Sequence, residues 1–232
     1  MKEKLFKPLK ELSQKAHVGS LEEYNNEYDR SIKDQNLFWE EKAERISWYK
    51  KWDSVGSFDY VNGVIKWFDG GKLNVSYNCL DRHVESGKGD RTALIWEGNN
   101  PEENKTFSYN DLLIEVKKFS NVLIGLGIQK GDRVCLYMQM VPQLPIAMLA
   151  CARIGAVHSV VFGAFSSDSL RDRINDSTCK ILITQDTGVR GVKQNISMKA
   201  NADKAVAETP SIEHVVVVKR TGEPVNMVKG RD

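Results

Sequence analysis

Residues 133–163 read RVCLYMQMVPQLPIAMLACARIGAVHSVVFG, and this stretch decides the fold. Arg133 to Met138 is a near-continuous apolar run of strand length. Pro142 suits the first turn of a helix, where its missing N–H is no loss, and a helical pattern then runs to about Ile154. Ala156 to Phe162 is a second apolar run, read as a buried strand. A helix between two strands is the connection a parallel pair requires. Strands apolar on both faces suit a sheet covered on both sides.

The alternation extends in both directions. Upstream, Thr92 to Trp96 reads as a strand. Ser108 reads as a helix cap, with Phe107 and Leu112 at the two hydrophobic-staple positions. Leu112, Val116, Phe119, Leu123 and Leu126 then mark one apolar helix face, ended by Gly125 and Gly127. Downstream, Ser166 caps a helix through Leu170 and Ile174, and Lys180 to Thr184 is a strand. Ser197 caps a helix through Ala202 and Val206, stopped by Pro210, before a strand from Glu213 to Lys219. The pattern predicts an α/β fold: an open, doubly wound, mostly parallel sheet with right-handed crossovers, over residues 91–232.

Residues 1–90 have another texture, polar and rich in aromatics. Ser20-Leu21-Glu22-Glu23 has the form of a capping box, and Asn36 stands where it would cap a second helix through Phe38 and Ala43. Four of the five tryptophans lie here, at 39, 48, 52 and 67. They are read as packing anchors of a helical region rather than as a stacking platform for a ligand. The polar, glycine-containing turn from Glu85 to Asp90 is taken as the boundary.

Composition narrows the function classes. The chain has 232 residues, 41% hydrophobic and 28% charged, which excludes a disordered tail, a collagen-like repeat and a disulfide miniprotein. Its net charge of +2 offers no global field for nucleic acid or an anionic membrane. Cys79, Cys135, Cys151 and Cys179 form no CxxC pair and read as buried free thiols, in keeping with a cytoplasmic location. The start, Met1-Lys2-Glu3-Lys4, has no apolar segment and does not read as a signal peptide.

No catalytic motif stands out. Gly125, Gly127 and Gly131 follow a helix and precede a strand, the reverse of a dinucleotide loop. The four histidines have no metal-ligand spacing. Position in the fold says more, because ligands bind outside the carboxyl ends of parallel strands. Two strand exits qualify: Phe162-Gly163-Ala164, where small residues let backbone N–H groups approach a ligand, and Gln185 to Lys193, where Arg190 and Lys193 supply cations for a phosphate. Both are expected to leave neighbouring strands and to share one ligand. The plainer reading is a glycine turn with two solvated cations.

Several stretches resemble a known family. Trp67-Phe68-Asp69-Gly70-Gly71-Lys72-Leu73-Asn74, Asn78-Cys79-Leu80-Asp81-Arg82-His83 and Ala93-Leu94-Ile95-Trp96-Glu97-Gly98 resemble the AMP-forming acetyl-CoA synthetases, acetate–CoA ligases. Residues 107–112 and 152–163 resemble two core motifs of the wider adenylate-forming superfamily. The resemblance covers about residues 20–231. It implies an adenylate-forming N-terminal domain and a two-step reaction. A carboxylate attacks the α-phosphate of ATP, with Mg²⁺ neutralising charge, and CoA then displaces AMP from the acyl-adenylate.

The resemblance also implies where CoA sits. Phe162, Gly163 and Ala164 fall beside its nucleotide, and Arg190, Gly191, Val192 and Lys193 at its phosphate. Ala164 stands where bacterial relatives usually have Gly, and Lys193 where they usually have Arg. Family members are considerably longer. Their Gly/Ser/Thr-rich phosphate loop, acyl pocket, ribose-binding Asp motif and C-terminal domain with its catalytic Lys do not occur here. The expectation is therefore an N-terminal fragment, with no catalytic or metal-binding residue in this span and no activity alone. Its partners would be acetate, ATP, CoA and the C-terminal remainder of the polypeptide. A propionate-preferring relative, or a non-catalytic protein binding CoA or a partner, is the alternative.

Overall fold

The computed structural model describes residues 6–232, so the charged start at residues 1–4 lies outside the described residues. The chain divides into two compact units, one ending at Leu73 and one spanning Asn74–Asp232.

The first unit carries α1 (Lys10–Lys15), α2 (Leu21–Lys33) and α3 (Gln35–Ala43). Ser20 caps α2 by accepting from the Glu23 N–H at 3.1 Å. The Glu23 carboxylate reaches back to the Gly19 N–H at 2.7 Å, one residue ahead of the position a capping box uses. Asp34, not Asn36, caps α3, accepting from the Leu37 N–H at 3.0 Å. The reason is the shortness of the link: Asp34 ends α2 and starts α3 at once.

The helices are followed by an antiparallel hairpin absent from the sequence reading, β1 (Ser54–Asp59) with β2 (Val64–Asp69). The tryptophans pack as anchors: Trp48 and Trp52 meet at 5.0 Å, Trp52 and Phe68 at 5.1 Å, and Trp67 and Phe58 at 5.1 Å between ring centroids.

The second unit begins with two wide helical turns, Tyr77–Asp81 and Val84–Lys88. They belong here because the Asn74 amide donates to the carbonyls of Ala152 and Arg153 at 3.0 and 3.1 Å. Asp81 also forms a two-pronged pair with Arg153 at 2.8 and 2.9 Å. Next come β3 (Thr92–Glu97) and β4 (Asn104–Ser108). Here the structure corrects the sequence reading: β3 pairs antiparallel with β4 in a hairpin of its own and does not join the parallel sheet.

The remaining elements are α4 (Tyr109–Gly125), β5 (Arg133–Met138), α5 (Gln143–Ile154), β6 (Val157–Phe162), α6 (Ser167–Ser177), β7 (Ile181–Gln185), β8 (Gly188–Arg190), β9 (Lys193–Ile196), α7 (Met198–Val206) and β10 (His214–Val218). Ser108 makes a complete capping box with Asp111. Ser166 caps α6 through the Ser169 N–H. Ser197 sits at the N-cap of α7 but makes no side-chain cap bond, and the Lys199 N–H there bonds the Asp186 carbonyl at 3.0 Å instead. Gly155 closes α5 at φ 78°, the left-handed turn that glycine adopts without a Cβ penalty.

Four strands form an all-parallel sheet in the order β10-β7-β5-β6. Side chains alternate along β5. Val134, Leu136 and Met138 join a core with Leu123 of α4 and Ala147 of α5, while Cys135 and Tyr137 join a second core with Leu170 of α6 and Ala202 of α7. Helices thus cover both faces, the doubly wound arrangement predicted. Cys135, Cys151 and Cys179 are buried as expected, whereas Cys79 is exposed. Among the described residues no helix is long and apolar enough to cross a membrane.

Candidate functional site

The sheet order contains a reversal. From β5 the chain moves to β6 on one side, then returns to place β7 on the other. The connection after β5 enters α5 on one face, and the path after β7 leads to α7 on the opposite face. Loops that diverge in this way open a crevice at the carboxyl ends of the strands, the usual ligand position in such sheets. A cavity of about 530 Å³ lies there. It is lined by the β5 exit at Met138 to Val141, by Phe162, Gly163 and Ala164, and by Val189, Arg190 and Lys193.

The two exits chosen from the sequence therefore line one crevice, but not as neighbours. β6 and β7 flank β5, and the β5 exit stands between them. The stretch after β7 is also more than a loop. β8 and β9 form a short antiparallel hairpin whose turn is Gly191-Val192, with Arg190 directly opposite Lys193. Gly191 and Val192 project at the exposed tip and are not among the cavity-lining residues.

Each wall is fixed by particular side chains. At the β5 exit the Gln139 amide accepts from the Val189 N–H at 3.0 Å and donates to the Val189 carbonyl at 3.3 Å. The buried Gln185 side chain accepts from the Gln139 N–H at 2.9 Å and donates to the Thr187 carbonyl at 2.8 Å. Gly163 leaves room that a side chain would fill, since a Cβ there would lie 3.0 Å from the Met138 carbonyl oxygen. Phe162 is exposed and meets Phe165 edge-on at 6.0 Å.

The third wall comes from the β3–β4 hairpin. The Trp96 indole N–H donates to the Met140 carbonyl at 2.8 Å, and the Arg220 guanidinium lies over the Trp96 ring at 5.2 Å. Arg220 forks onto both Glu103 oxygens, and this hydrogen bonding holds the Glu103 carboxyl below the usual range. At the hairpin turn, Asn99 bonds the backbone of Gly191 in both directions. Asn99, Gln139 and Arg220 carry no motif in the sequence, and Trp96, though part of the stretch that carries the family resemblance, is not among the site residues expected from it. The only local signal was the place of Gln139 just after a buried strand.

Behind the crevice, Asp186 is buried and works as an anchor for the chain after β10. Burial pushes its carboxyl up, but backbone N–H donors at Gly222, Arg220, Thr187 and Thr221 outweigh this and leave it below the ordinary value.

Electrostatically, the crevice mouth is cationic. Arg190 and Lys193 are exposed, face each other across the hairpin, and form no ion pair among the described residues. Like charges placed opposite on paired strands repel, so an anion seated between them is favoured. Among the described residues no group of three or more His, Cys, Asp or Glu could hold a metal ion.

Comparison with known proteins identifies the lineage. The family described as AMP-binding enzyme matches residues 80–231. The chain belongs to the AMP-binding enzyme family. Residues 24–79 match the acetyl-coenzyme A synthetase N-terminus. Acetyl-coenzyme A synthetase of Rubrobacter xylanophilus is 54% identical over 227 residues, 98% of this chain and 34% of that protein. The same-named enzyme of Leptospira biflexa is 51% identical over 100% of this chain and 36% of its own length. The chain thus spans about a third of the length of these relatives. Acetoacetyl-CoA synthetase from Streptomyces lividans shares the fold, with a TM-score of 0.78 at 23% identity, over 88% of this chain and 31% of that structure.

Proposed function

We propose that this chain is the N-terminal part of an acetate–CoA ligase and that its crevice receives the nucleotide end of CoA. The observation that carries this reading is the unpaired Arg190–Lys193 face, set at the carboxyl ends of parallel strands in a chain about half identical to acetyl-coenzyme A synthetases. Phe162 offers an aromatic face for adenine, Gly163 and Ala164 allow a ligand close to the backbone, and the two cations receive the 3′-phosphate. Arg190 supplies a planar fork, whereas Lys193 supplies a point charge. Gly191 and Val192 form the turn that brings the two cations together.

ATP, acetate and Mg²⁺ belong to the same proposal as substrates and cofactor of the whole ligase. No adenylation step is assigned to these residues. The 232 residues also contain no Gly/Ser/Thr-rich phosphate loop, so the chain alone is expected to show no acetate-dependent exchange of pyrophosphate into ATP.

The test is calorimetric titration of the chain with CoA and with 3′-dephospho-CoA. The reading expects CoA to bind more tightly, by about tenfold, since one hydrogen bond to a charged group is worth about 1.5 kcal/mol or more. Equal affinity for the two ligands would remove the phosphate from the site.

A further inference from the structure

We propose that Asn99 is a positioning residue, which sets the pose of the Arg190–Lys193 cation pair for a phosphate-bearing ligand. This rests on the CoA reading above and names a residue 92 positions away from the turn it holds.

The cationic hairpin is too small to hold its own shape. β8 has three residues and β9 four, and their recorded pairing is Gly188 with Ile196 and Arg190 with Lys193. An isolated two-stranded hairpin is marginal in water even when longer. Gln139 grips its base at Val189. Among the described residues its tip is held by Asn99: the Gly191 N–H donates to Asn99 Oδ1 at 2.6 Å, and Asn99 Nδ2 donates to the Gly191 carbonyl at 2.9 Å.

Gly191 separates Arg190 from Val192 and sits at φ 57°, a conformation that must be held for Arg190 and Lys193 to face each other. Asn99 has a firm base from which to act. The Gly98 N–H bonds the Glu103 carbonyl at 2.6 Å across the β3–β4 turn, Arg220 clamps Glu103, and Trp96 is tied to Met140. A path of direct contacts therefore runs from the sheet, through Arg220 and the β3–β4 hairpin, to the cationic tip.

The chemistry selects an amide. Only a carboxamide offers a donor and an acceptor side by side, to match an N–H and a C=O of one residue. Aspartate keeps the acceptor and sets a negative oxygen against the Gly191 carbonyl. Alanine keeps neither. With the tip released, the two cations face one another in only a fraction of the molecules, and apparent affinity for a phosphate falls by that fraction.

The experiment compares wild type, Asn99→Ala and Asn99→Asp in the 232-residue chain. CoA and 3′-dephospho-CoA affinities are measured by calorimetry, and the Gly191 amide is followed by hydrogen exchange without ligand. Asn99→Ala should weaken CoA binding about fivefold, as expected for hydrogen bonds between neutral groups. It should leave dephospho-CoA binding unchanged and speed exchange at Gly191. Asn99→Asp should weaken CoA at least as much as Asn99→Ala, because its carboxylate repels the Gly191 carbonyl and adds a negative charge beside the two cations. If wild type prefers CoA but Asn99→Ala weakens both ligands equally, or neither, the positioning role is wrong while the phosphate site stands. If wild type binds the two ligands equally, the phosphate reading fails and takes the positioning role with it.

Discussion

Replacing Gly188 by alanine tests how the crevice wall is built. Gly188 is buried, and a Cβ added there would stand 2.5 Å from Gln139 Oε1, 2.6 Å from its Cδ and 2.8 Å from its Nε2. Those distances are below any real contact, so the Gln139 amide must swing away. Doing so breaks its bonds with both backbone atoms of Val189 and its contact with Gln185 Nε2 at 3.4 Å.

Overpacking a core position costs about 1–3 kcal/mol, and stranding a half-buried N–H costs a similar amount. The two are not both incurred in full, because moving the side chain relieves the clash. The expected loss is about 2 kcal/mol. With a urea slope of about 2 kcal/mol/M, the midpoint should fall by about 1 M. The assay is urea unfolding read through hydrogen exchange at the β5 and β7 amides, which report on the second unit. Gln139→Ala supplies the control: in that background Gly188→Ala should cost little, because the atoms it strikes are gone. Additive losses from the two substitutions, or no loss from Gly188→Ala alone, would refute the reasoning.

Other outcomes follow from the same contacts. Arg190→Ala should weaken CoA about tenfold and dephospho-CoA hardly at all, with Lys193→Ala doing the same more weakly, both measured by calorimetry. Lys199 is buried and pairs with Asp203 at 2.7 Å and with Asp232 at 2.9 Å, while Arg231 pairs with both of the same carboxylates, so Lys199→Ala should cost about 1.5–3 kcal/mol in the same urea assay, the loss of a charged hydrogen bond with the carboxylates still partnered. The Asp186 carboxyl is held below its ordinary value of 3.8, so its contribution to stability is present above that pH and is lost as pH falls through the lower folded value. Asp186→Asn should therefore flatten the acid limb of the stability profile below about pH 4.

The parallel sheet and its helices were legible because their residues repeat with a clear period. Leu112, Val116 and Leu123 are buried on one face of α4, and every residue of β7 is buried. The hairpins were not legible, for a physical reason. β8 and β9 are three and four residues long, and Lys193, Gln194 and Asn195 carry no apolar alternation to betray a strand. β3 has the apolar character of a sheet strand, but its partner β4 begins Asn-Lys-Thr, which shows no apolar alternation, and ends in the Phe107-Ser108 pair that reads as a helix start.

The site was half legible. Strand exits with small residues and cations mark themselves, so Phe162 to Ala164 and Arg190 to Lys193 could be chosen from position alone. Their supports could not, because they arrive from afar: Gln139 bonds across 50 residues, Asn99 across 92, and Arg220 reaches Glu103 across 117. The reversal of strand order that puts the β5 exit between β6 and β7 is likewise a property of the sheet and not of any local run.

The most direct test of the central claim is a ¹H–¹⁵N titration of the 232-residue chain with CoA, repeated with 3′-dephospho-CoA. The account predicts the largest CoA-induced shifts at the amides of Gly163, Ala164, Arg190, Gly191 and Lys193. With dephospho-CoA the shifts at 163 and 164 should persist, while those at 190–193 should vanish. Shifts centred instead on the separate groove lined by Phe107, Ile114 and Val218, or no difference between the two ligands at 190–193, would contradict it.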